Sequence, residues 1–277
     1  MTLALFALLV AFGSFAAGLL GALTGLGGGI VVVPMLTLLF GVNLRYAIGA
    51  SLVSVIATSS GAAAAYVREG YTNVRVGIFL EVATTTGALV GAALAGLIPT
   101  SALAVLFGLV LLYTAWRSFQ PREEHLTLEP HPWATKLRLN GSYPVAGRMQ
   151  SYAVQQVPTG FVVMLVAGVL SALLGIGSGV VKVLAMDRAM QLPFKVSTTT
   201  SNFMIGVTAA ASAGVYLHRG YIEPSLAFPV MLGVLGGALT GARILGRANT
   251  LWLRRLFTAV VVVLAMEMLY KGATGGL

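Results

Sequence analysis

The chain has 277 residues, 57% of them hydrophobic and only 9% charged, with a mean hydropathy of +0.91. Soluble domains carry about 25% charged residues, so a soluble globular protein is excluded, and the lack of cysteine excludes disulfides, thiolate metal sites and protein-thiol redox chemistry. A net charge of +9 would suit a nucleic-acid binder, but in so apolar a chain basic residues gather in cytoplasmic loops for topological reasons, and no nucleic acid is expected.

In chain order, residues 3–24 form an apolar segment of membrane-crossing length. It has no basic leader and further spans follow, so it reads as a mature helix rather than a cleaved signal. The glycine cluster Gly25-Leu26-Gly27-Gly28-Gly29 interrupts the pattern. Residues 30–40 then make a short apolar piece, too short to cross about 30 Å of hydrocarbon as an untilted helix. Helices are predicted near 46–67, 75–98 and 101–119. The charged stretch 120–157 reads as a cytoplasmic loop, and the alternation at 136–139 before Asn140-Gly141 predicts a small β-hairpin. A second series follows: an apolar segment 158–174, the cluster Gly175-Ile176-Gly177-Ser178-Gly179, a short piece 180–191, and helices near 196–217, 222–245 and 251–271.

The two series match at a constant spacing of 150 residues, without a gap. Gly18, Gly25, Gly27 and Gly29 fall on Gly168, Gly175, Gly177 and Gly179; Ser51 and Thr58 fall on Ser201 and Thr208; Gly87 and Gly91 fall on Gly237 and Gly241. The expected organisation is an N-terminal transmembrane repeat (1–119), a cytoplasmic loop (120–157) and a C-terminal transmembrane repeat (158–277). Counting Lys and Arg decides their relative orientation. Opposed halves place 13 basic residues on one side and 3 on the other, whereas parallel halves give 9 and 7. The expected fold is therefore an all-α polytopic membrane protein of two inverted-topology repeats. Each repeat has a glycine-tipped helical hairpin, whose return limb is a half-helix, followed by three transmembrane helices.

Inverted repeats with interrupted helices are the pattern of secondary transporters, which bind substrate near the midplane where the repeats meet. Glycines at the break leave backbone N–H groups uncovered, and the following helix points its positive dipole end at the break, an arrangement suited to an anion. Gly27, Gly28, Gly29, Gly177, Ser178 and Gly179 are the candidate binding residues at the two tips. Packing alone would also account for such glycines. Ser51, Ser201 and Asn202, at the start of the next helix of each half, add neutral donors for substrate oxygens. Lys182 stands where the first half has Val32, and its ammonium is the expected partner of an anion. Glu81 and Asp187 are coupling candidates, with ion pairing as the alternative, Asp187 beside Arg188. No metal or cofactor is expected. His125, His131 and His218 are widely separated, against a catalytic cluster.

Gly25-Leu26-Gly27-Gly28-Gly29 with Pro34, Gly49-Ala50-Ser51-Leu52, and Lys195 leading to Thr200-Ser201-Asn202-Phe203 together resemble the sulfite exporter TauE/SafE family, also called the toluenesulfonate uptake permeases. The resemblance covers nearly the whole chain. It implies a multi-pass plasma-membrane carrier for sulfite, sulfonates, sulfoacetate or related anions, coupled to an ion gradient. The chain departs from the family pattern at Ala50, at Ser178, where a third glycine is usual, and at Leu184, where proline is frequent. The expected partners are a small anion and the lipid bilayer, a homodimer being admissible. An anion channel or a membrane-embedded enzyme is the alternative.

Overall fold

A computed structural model describes residues 3–24, 29–68, 70–119, 131–145, 148–245 and 250–275. The first series comprises α1 (Leu3–Thr24), α2 (Gly29–Leu38), α3 (Leu44–Arg68), α4 (Val74–Ala95) and α5 (Thr100–Phe119). A short helix, α6 (Pro132–Lys136), and the strands β1 (Gly141–Val145) and β2 (Arg148–Tyr152) follow. The second series is α7 (Val157–Leu174), α8 (Gly179–Leu184) with a π turn at Ala185–Ala189, α9 (Phe194–His218), α10 (Pro224–Leu245) and α11 (Thr250–Thr274). The chain is an all-α polytopic membrane protein. Among the described residues, α1, α4, α7, α10 and α11 are long and apolar enough to cross a bilayer.

The short helices are interior elements. Every residue of α2 from Gly29 to Thr37 is buried, including Pro34 within the helix. Such a helix cannot span, and here it has no lipid-facing side that would ask it to. Beyond it, Gly41 adopts φ +64° and the Val42 N–H returns to the Leu36 carbonyl at 3.0 Å, which turns the chain into α3. In the second half α8 does not continue as one α-helix over 180–191. After Leu184 it widens into the π turn and closes at Met190, whose N–H reaches the Ala185 carbonyl at 3.0 Å.

Long helices pair across the halves, α1 with α10 and α4 with α7, through glycines that let backbones touch. A Cβ added at Gly18 would lie 2.8 Å from the Val234 Cα, and one at Gly168 would lie 2.9 Å from the Thr84 Cα. Likewise Gly237 faces Phe15 and Leu19 as Gly87 faces Leu165 and Val169. Each contact maps onto its counterpart at the spacing of 150, so one interface is formed twice. The last helices of the two series, α5 and α11, pack antiparallel: Gly108 lies against Ala265 and Leu269, whereas Gly272 lies against Ser101 and Val105. The hydroxyl-rich pair α3 and α9 lies between these outer pairs.

The hairpin is present but displaced from its expected position. Residues 136–139 end α6, where the Leu139 N–H bonds the Ala134 carbonyl at 2.8 Å and buries the leucine. Asn140-Gly141 is not the turn: Gly141 opens β1 opposite Tyr152, the register runs to Val145 opposite Arg148, and the Asn140 Oδ1 accepts from the Val154 N–H at 2.9 Å. Leu139, Tyr143, Tyr152 and Val154 join Val76, Leu80, Met164 and Met204 in a second apolar core, so the loop is docked onto the helices.

Candidate functional site

At the first residue after the end of α7 the backbone is already reversing. Gly175, Gly177 and Ser178 have φ of +66°, +68° and +48°, a left-handed run that glycine adopts without steric penalty and serine does not. The run turns the Gly175 carbonyl toward α3, where it accepts the Ser51 hydroxyl at 2.7 Å. Gly29, the start of α2, comes to the same place: a Cβ there would lie 3.0 Å from the Ser51 Oγ and 3.1 Å from the Gly175 carbonyl oxygen. Ser51 therefore stands between the end of one hairpin and the tip of the other. The matching serine of the second half, Ser201, donates to the Gly179 carbonyl at 3.3 Å.

Among the sequence candidates, Gly29, Ser51, Gly177, Ser178, Gly179 and Ser201 are thus placed around the two tips. Gly27 and Gly28 lie outside the described residues. The Ser178 hydroxyl is buried without a hydrogen-bond partner among the described residues. Asn202, next to Ser201, is half-buried and likewise has no such partner. The other hydroxyls at the start of α9 act structurally: Thr200 accepts from the Asn73 N–H at 3.0 Å and Thr199 donates to the Tyr71 carbonyl at 3.0 Å, tying the turn before α4 to α9.

Lys182 is fully buried, so it does not extend its charge to an interface. Its ammonium donates to the Thr208 hydroxyl at 2.5 Å, and that hydroxyl lies 2.7 Å from the Glu81 Oε1. Thr85 donates to the same carboxylate oxygen at 3.1 Å. The other oxygen, Oε2, is buried with no partner among the described residues. Two of the ionisable candidates are thus joined through a threonine that sequence reasoning used only as a repeat marker. The third is placed differently: Asp187 sits in the π turn with an oxygen 4.0 Å from the Arg188 Nε.

Two further cations at helix starts, Arg45 and Lys195, are engaged. The Arg45 guanidinium lies 5.7 Å from the Tyr221 ring centre and donates to the Ile98 carbonyl at 3.1 Å. The Lys195 ammonium lies 3.6 Å from the Tyr71 ring centre. These two cation–π pairs are again 150 residues apart in both members.

A family model for the sulfite exporter TauE/SafE matches residues 10–268. The chain belongs to the TauE/SafE family. It is similar to a probable membrane transporter protein, YunE, of Bacillus subtilis, with 26% identity over 96% of this chain and 98% of that one. A second protein of that organism, the probable membrane transporter YdhB, is 27% identical over 83% of this chain and 86% of its own length. A probable membrane transporter of Xylella fastidiosa is 25% identical over 93% and 91%. No solved structure matches. Membership in TauE/SafE places the chain among multi-pass plasma-membrane transporters with a small substrate.

Proposed function

We propose that this TauE/SafE member is a secondary transporter that moves a small sulfur-containing or organic anion of the sulfite, sulfonate and sulfoacetate class by alternating access. The observation that carries the reading is the convergence of Gly29 and Gly175 on Ser51. Two interrupted helices meeting at a buried, hydroxyl-lined point offer backbone N–H groups to an anion with little water to compete. Gly27, Gly28, Gly29, Ser51, Gly177, Ser178, Gly179, Ser201 and Asn202 are the proposed contacts, with Lys182 supplying positive charge. Glu81 is the proposed coupling residue, and Asp187, held beside Arg188, is the weaker candidate for that role.

An inverted relation of the halves is part of the proposal. It is supported by the bias of basic residues, 13 against 3, and by the antiparallel packing of the equivalent helices α5 and α11. The domain limits 1–119, 120–157 and 158–277 follow from it, and a homodimer is compatible with it.

A thermal-shift screen of the purified protein against sulfite, sulfate, thiosulfate, sulfoacetate and aromatic sulfonates tests the reading, since a ligand that binds only the folded form raises Tm. At least one sulfur oxyanion is expected to do so and to show saturable flux with counterflow in proteoliposomes. Unitary currents without counterflow would make the protein a channel, and no shift with any anion would remove the substrate class.

A further inference from the structure

Resting on the transport reading above, we propose that Lys182, Thr208 and Glu81 form a proton-coupling element, in which an anion loads onto Lys182 as a proton loads onto Glu81. A buried ammonium needs a counter-charge. In the structure that counter-charge is Glu81, reached through Thr208. While the carboxylate is ionised, the chain from Lys182 to Glu81 is neutral as a whole, and the ammonium has no net pull on a further anion.

The carboxylate also shows where a proton would go. Oε1 already accepts from Thr208 and Thr85, whereas Oε2 is buried and has no partner among the described residues. A proton arriving at Oε2 breaks no hydrogen bond and takes Glu81 from −1 to 0. The ammonium is then unbalanced, and an anion of charge −1 restores neutrality. The Lys182 N–H already bonds the Ser178 carbonyl at 3.0 Å, one turn from the tip, so rotation of the side chain away from Thr208 carries the charge toward Ser178 and Gly179. A sodium ion suits this place less well, because it would lie beside an ammonium of the same sign.

Among the described residues, the surrounding charges do not offer another partner. Glu81 lies on α4, whose other charged residue, Arg75, donates to the Arg138 carbonyl at 3.4 Å. Helix α7 carries no ionisable side chain. On α9, Lys195 lies over Tyr71, Tyr216 donates to the Ala172 carbonyl, and His218 is the last residue. After α8, Asp187 and Arg188 lie together in the π turn. Lys182 is the charged group that the hydrogen-bond chain joins to Glu81.

The test titrates the purified full-length protein with methanesulfonate and toluenesulfonate, monoanions whose charge stays constant near neutral pH. Heat and proton uptake are recorded together in weak buffer. Binding is expected to take up about one proton per anion, and affinity to fall with rising pH toward a limit of about tenfold per unit. Glu81→Gln, a neutral side chain of the same shape, is expected to bind without proton uptake and without the pH dependence, and Thr208→Val to bind with reduced uptake. Binding by the parent protein without proton uptake overturns the coupling and leaves the anion site standing. Failure of every anion to bind overturns the transport reading and the coupling with it.

Discussion

A buried ammonium is costly unless it is paired and hydrogen-bonded, and Lys182 is fully buried. Its dependence on Thr208 makes two opposite predictions about stability. Thr208→Val removes the acceptor and leaves a buried ammonium unsatisfied, which should destabilise by about 1–3 kcal/mol. Replacing both charges, Lys182→Met together with Glu81→Gln, removes the need for a partner on either side and should leave thermal unfolding unchanged or raise Tm. If both variants melt below the parent by similar amounts, the lysine is held by packing rather than by the threonine. Lys182 was legible in the sequence because it breaks the repeat, standing where the first half has Val32. Thr208 was not, because a threonine that repeats Thr58 looks like a marker of duplication, and only the crossing of α4 and α9 gives it a carboxylate to meet. Gly177 belongs to the same scale. At φ +68° and with an added Cβ 2.9 Å from Ile205, replacement by leucine should abolish transport while the protein still inserts, as measured by flux against surface expression.

At the scale of elements, glycines decide which helices can meet. Gly168→Leu should disrupt the α4–α7 contact, because its side chain would start 2.8–2.9 Å from the Thr84 carbonyl carbon and Cα and nearer still to the carbonyl oxygen, and overpacking of a tight interface costs about 1–3 kcal/mol or more. Gly214→Ala on α9 meets nothing within 4 Å and should be neutral or stabilise by up to about 1 kcal/mol. Size-exclusion profiles of the two variants check the contrast. The docked hairpin gives a pH prediction. Burial pushes the Tyr152 hydroxyl up to about 12, against the lowering effect of the Asn73 amide that donates to it at 2.8 Å. Because the folded state holds the proton more tightly than the unfolded state does, this stability is complete below about pH 10 and lost as pH rises toward 12. Hairpin proteolysis should increase over that range in the parent, and Tyr152→Phe should remove this part of the alkaline dependence. The existence of the hairpin was legible, but its turn was not. Asn-Gly is a strong turn signal, yet here the buried Leu139 and the Asn140 side-chain bond to Val154 fix residue 141 as the strand's start.

For the whole molecule, the proposed opposed orientation of the halves predicts that single cysteines near residues 43, 99 and 220 label from outside the cell. Those near 70, 130, 190 and 247 should label from the cytoplasm. The parent has no cysteine, so each signal is unambiguous. Labelling of positions 99 and 247 from one side would end that arrangement. The repeat and its spacing of 150 were legible from the glycines together with Ser51 and Thr58, which fall on Ser201 and Thr208 without a gap. What the spacing does not contain is the partner of each helix: nothing in residues 3–24 says that they pack on 224–245, because that depends on how two hairpins and six further helices share one volume.

The cross-pairing of α1 with α10 also has a consequence in time. The end of α1 and the start of α10 are 200 residues apart. At the usual 5–20 residues per second of synthesis, the first helix waits about 10–40 s for the surface that covers it. During that interval the face around Gly18 has only lipid, the insertion machinery or a chaperone beside it. A nascent chain arrested before residue 224 should therefore be a substrate for membrane proteases, and the newborn protein should pass through a stage at which quality control can still reject it.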